Sequence, residues 1–75
     1  MTKRADLMKA VAYSQKEIEL LEKKRMRSQA ALIDALISNE KPNETDVKYF
    51  KSYTALIENE RENLQRFQDE LDKLD

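Results

Sequence analysis

Apolar residues recur at alternating spacings of three and four through the second half of the chain: Phe50, Tyr53, Ile57, Glu60, Leu64, Phe67, Leu71 and Leu74. Seven of these eight positions are apolar, and a stripe with that period lies on one face of an α-helix as the seam of a coiled coil. The first half carries a rougher version through Leu7, Val11, Ser14, Ile18, Leu21, Arg25, Gln29, Leu32 or Ile33, and Leu36. Its period drifts from 3.5 toward 3.6 residues per turn, and three of its positions are polar. Between the stripes stands the only cluster of turn-type residues, Ser38-Asn39-Glu40-Lys41-Pro42-Asn43-Glu44. Pro42 cannot continue a helix, Asn39 suits a helix C-terminus, and Asn43 or Thr45 can cap a second helix as Thr2 caps the first. The pattern predicts an all-α, antiparallel helix-loop-helix hairpin spanning 1–75, with helix 1 over about 3–38, a loop at 39–44 and helix 2 over about 45–74.

A short loop makes the helices antiparallel neighbours, so the numbers of facing residues should sum to about 85 or 86. In that register Leu36 meets Phe50, Leu21 meets Leu64, Ile18 meets Phe67 and Val11 meets Leu74. Arg25, the charged member of the first seam, meets Glu60, the charged member of the second. This Arg25–Glu60 layer is expected to specify register, at some cost relative to an apolar layer. The same register leaves about nine N-terminal residues, Leu7 and Met8 among them, past the end of helix 2.

Beyond the seams each helix is apolar on a shoulder. On helix 1 this is Met8, Ala12, Met26, Ala30, Ile33 and Ile37; on helix 2 it is Tyr49, Leu56, Phe67 and Leu74. Two helices cover a seam but not both shoulders. At 75 residues the chain is also below the size at which one core readily supplies more than about 3 to 5 kcal/mol. A partner is the expected remedy. The choices are a second copy, giving a homodimeric four-helix bundle, or the helices of another protein.

Composition narrows the chemistry. The chain has no Cys, His, Gly or Trp, so disulfides, the usual zinc, haem and iron–sulfur ligands and glycine-rich phosphate loops are all missing. Serines 14, 28, 38 and 52 have no histidine to activate them. Carboxylate pairs such as Glu58 with Glu62 are expected on outward, solvated faces. The expectation is a non-enzymatic protein without cofactor, metal or catalytic residues. Acid-before-base pairs at i, i+4 (Glu19–Lys23, Glu62–Arg66, Asp69–Lys73) are read as local helix support.

Net charge is −1, but residues 1–38 carry +3 and residues 39–75 carry −4. Lys9, Lys16 and Lys23 recur every seven residues and, with Arg27, form a basic ridge on helix 1. The alternative function drawn from it is binding to nucleic acid or to an acidic partner. No apolar run is long enough to span a membrane, and a cytoplasmic location without membrane association is expected. Two long helices around a short Pro/Asn loop resemble, in architecture, type III secretion needle subunits and their small co-chaperones, phage assembly proteins and plasmid-encoded four-helix dimers. The resulting expectation is a protein–protein interaction module, adaptor or chaperone-like, acting through its apolar helix faces.

Overall fold

A computed structural model describes residues 2–74 as two helices, α1 (Lys3–Ile37) and α2 (Glu44–Leu74), packed against each other. Contacts between low numbers of α1 and high numbers of α2 make the pair an antiparallel hairpin. At 1.5 Å per residue α1 alone is about 52 Å long, and the molecule measures 54 × 17 × 16 Å. Its radius of gyration is 16.8 Å, against about 11 Å for a compact chain of this length. The protein is a rod two helices thick.

Each helix starts on a polar cap. Thr2 Oγ1 accepts the backbone N–H of Ala5 at 3.1 Å, and the Thr2 carbonyl accepts that of Asp6 at 3.2 Å. Asn43 does the same for α2, its Oδ1 accepting from the Thr45 N–H at 2.8 Å and its carbonyl from the Val47 N–H at 3.1 Å. Asn43, and not Thr45, is therefore the cap.

The end of α1 fixes how the hairpin closes. Asn39 adopts a left-handed conformation with φ of 56°. The Asn39 N–H donates to the Leu36 carbonyl at 3.2 Å, and the Glu40 N–H donates to the Ala35 carbonyl at 2.9 Å. These are the two bonds of a Schellman motif, which satisfies the last free carbonyls and reverses the chain at once. Asparagine tolerates that conformation better than a branched or bulky residue would.

Because the reversal is complete by Glu40, α2 lies further back along α1 than a symmetric loop would place it. Ser14 Oγ donates to Glu60 Oε1 at 2.9 Å, Arg25 Nη1 donates to Thr54 Oγ1 at 3.1 Å, and the Arg25 guanidinium sits 5.3 Å from the centroid of the Phe50 ring. Residue numbers in these contacts sum to between 74 and 79. The expected value of 85 or 86 is overturned by roughly one heptad, or about 10 Å along the axis. The expected Arg25–Glu60 layer does not form: the two charges occupy different layers and bond to hydroxyls. The N-terminal overhang is absent too, since Leu7 is buried in the core.

The seam of α1 keeps a strict seven-residue repeat. Its buried and half-buried positions run through Leu7, Val11, Ser14, Ile18, Leu21, Arg25, Ser28, Leu32 and Ala35. The expected drift toward Gln29 and Leu36 does not occur; Gln29 is exposed and Leu36 is 80% exposed. Small Ser28 and Ala35 occupy the seam at this end, Ser28 turning its hydroxyl onto the Arg25 carbonyl at 2.9 Å. On α2 the seam runs as expected from Phe50 to Leu71, with Ile57 1% exposed at its centre. Two of the expected local ion pairs give way to neutral partners. Arg66 Nη2 donates to Asn63 Oδ1 and Gln65 Nε2 donates to Asp69 Oδ1, both at 2.9 Å.

Candidate interaction surface

A strict heptad places residues seven apart on the same side of their helix, so each side of the seam can be followed along the hairpin. On one side a groove is lined by Lys24, Arg27, Ser28, Asp46, Tyr49 and Tyr53. Stepping by sevens from Arg27 reaches Leu20 and Tyr13, and stepping from Tyr49 reaches Leu56. All four of Tyr13, Leu20, Tyr49 and Leu56 are exposed. The Tyr49 and Tyr53 rings stack with centroids 6.3 Å apart and planes inclined by 19°. This side is the tyrosine flank.

On the opposite side a second groove is lined by Arg25, Gln29, Leu32, Ile33, Leu36 and Phe50. Stepping from Ile33 gives Met26, Glu19 and Ala12, and stepping back from Leu36 passes Gln29, Glu22 and Gln15 before reaching Met8. Met8, Met26, Ile33 and Leu36 are all exposed. Here the apolar side chains gather toward the loop, where the guanidinium of Arg25 forms part of the groove wall. Its Nε is buried and meets no acceptor among the described residues. This side is the methionine flank.

The residues expected to form one partner surface are thus divided. Met8, Ala12, Met26 and Ile33 lie on the methionine flank; Tyr49 and Leu56 lie on the tyrosine flank. Ala30 and Ile37 share the back of α1 with the lysines, Leu74 is exposed at the open end, and Phe67 is half-buried in the seam. The shoulders of α1 and α2 face opposite ways once the helices pack. Tyr13 and Leu20, which lie outside the shoulders expected from sequence, are the missed members of the tyrosine flank. The seven-residue step from Arg27 is the signal that finds them.

Lys9, Lys16 and Lys23 stand in line, exposed, on the back of α1, whereas Arg27 turns aside to wall the tyrosine groove. The ridge is therefore three cations long. Among the described residues no group of three or more acidic side chains is placed to hold a metal ion, and no helix is long and apolar enough to cross a membrane.

No protein-family model matches the chain, and comparison with curated proteins and with solved structures returned no match. Functional inference rests on the geometry alone.

Proposed function

We propose that the hairpin is a non-enzymatic protein–protein interaction module that works by having its exposed apolar flanks covered by other helices. Dimerisation into a four-helix bundle is one way to do this, and capping a partner's helices as an adaptor or chaperone is the other. The observation that carries the reading is an imbalance of burial. Among the described residues only Leu7, Ile18 and Ile57 are buried apolar side chains, while ten large ones are exposed, from Met8 and Tyr13 to Leu56 and Leu74. Singly exposed apolar residues are ordinary, but rows of them at heptad spacing on both sides of a seam are the geometry by which helices recruit further helices.

Light scattering and thermal unfolding across micromolar concentrations test the reading. The expected result is a helical species of at least two chains whose melting temperature rises with concentration. A stably folded 8.9 kDa monomer whose melting temperature does not move with concentration would overturn it.

A further inference from the structure

The two flanks differ in a way that names an occupant for one of them. On the tyrosine flank the exposed apolar side chains are spread about the middle of the rod: Leu20 is near the centre of α1, Leu56 adjoins Ile57 at the centre of α2, and Tyr13 and Tyr49 lie to either side. On the methionine flank all but Met8 crowd toward the loop. A patch centred on the molecule lets two antiparallel copies related by a two-fold axis overlap along their whole length.

Charge in the middle of the tyrosine flank has the same symmetry, although at the two ends of that face Asp6 and Asp34, both acidic, stand equally far from Leu20. Glu17 and Lys24 are seven residues apart, on either side of the Leu20 level, and project along the same line of α1. Tyr13 and Arg27 straddle Leu20 in the same manner on the next line out. We propose that a second copy of this chain packs antiparallel on the tyrosine flank, about a two-fold axis passing close to Leu20. The axis brings Lys24 to Glu17 of the partner subunit and Arg27 over the ring of Tyr13 of the partner subunit, and symmetry makes each contact twice. Half-buried Ala31 meets Ala10 of the partner subunit, two small residues that let the helices approach closely.

The elongated molecule has surface to spare for such an interface. The chain exposes 6105 Å², about 1,300 Å² more than a compact monomer of its mass, whereas a standard interface removes about 800 Å² per partner. This pairing rests on the reading of the hairpin as an interaction module, and adds which face is used and by whom. It leaves the methionine flank, with Arg25 in its groove, open on both sides of the four-helix bundle.

The absence of cysteine permits a direct test. Leu20→Cys, being next to the axis, should oxidise to a covalent dimer of folded chains, and Ile33→Cys on the other flank should not. Leu20→Glu should weaken association at least about tenfold while retaining helicity, and Ile33→Glu should leave it unchanged. Glu17→Lys should weaken association and Glu17→Lys with Lys24→Glu should restore it. Should Leu20→Glu unfold the chain, the two cysteine variants and the charge swap still decide. Association abolished by Ile33→Glu but kept by Leu20→Glu, or cross-linking of the Ile33→Cys variant in place of the Leu20→Cys variant, overturns the face assignment and leaves the interaction module standing. A wild-type protein that stays a stable monomer overturns both.

Discussion

The open half of the rod and the loop half are held together by different physics. In the open half, Leu7 and Ile18 are buried, and Val11, Leu64, Phe67 and Leu71 complete a run of mostly apolar layers that ends at Ile57 in the middle of the rod. In the loop half the seam contains Arg25, Ser28 and Ala35, and its specific contacts are a hydrogen bond to Thr54 and a guanidinium over Phe50. Leu36 and Ile37 there are 80% and 77% exposed. The contrast follows from connectivity. Far from the connection it is side-chain burial that holds α1 to α2, whereas residues next to a six-residue connection are already at high effective concentration. The loop half can accordingly keep its large apolar residues on the outside.

Three substitution experiments press on this contrast. The largest effect belongs to the open half. Leu7→Ala should cost about 3 kcal/mol in urea unfolding, and Leu36→Ala no more than about 0.5 kcal/mol. Equal losses at the two sites would mean that the halves are packed alike.

A smaller effect is expected at the polar layer inside the open half. Ser14 is 1% exposed, and its hydroxyl is the hydrogen-bond donor to half-buried Glu60. Ser14→Ala should cost about 1 to 2 kcal/mol by stranding the carboxylate, and Ser14→Ala with Glu60→Leu should recover most of it. If Ser14→Ala alone is neutral in chemical denaturation, the carboxylate is solvated and the layer contributes nothing.

The smallest term is the coupling between Arg25 and Glu60. Their bonds run to Thr54 and Ser14, in different layers, so the reversals Arg25→Glu and Glu60→Arg should be additive to within about 0.5 kcal/mol. A double mutant that regains stability well beyond additivity would put the two charges in one layer and the hairpin in the other register.

The hairpin itself was legible in the chain because periodicity and turn chemistry are local signals. The alternation from Phe50 to Leu71 and the cluster from Ser38 to Glu44 point to the same two-helix outline. Register was not legible, for a reason internal to the pattern. A seven-residue repeat pairs almost equally well after a displacement of seven, and the register expected from a short loop was the neighbouring one, in which Arg25 also happens to match Glu60. What decides is the backbone bond from Glu40 N–H to the Ala35 carbonyl, which leaves no trace in hydropathy. Ser28 and Ala35 were passed over in favour of larger neighbours, although a seam facing Phe50 has more need of small residues than of Leu36. The division of the flanks was hidden for a related reason: it depends on how one helix is turned toward the other.

The reversal at Ser38–Glu40 therefore acts as the zero mark of a sliding scale. Two heptad stripes graduated alike cannot tell one setting from the next, and in this chain the neighbouring setting would even bring Arg25 to Glu60. The six residues between Ile37 and Glu44 remove that ambiguity covalently. The length of a solvent-exposed connection, more than any side chain in the seam, is what makes this rod a single structure.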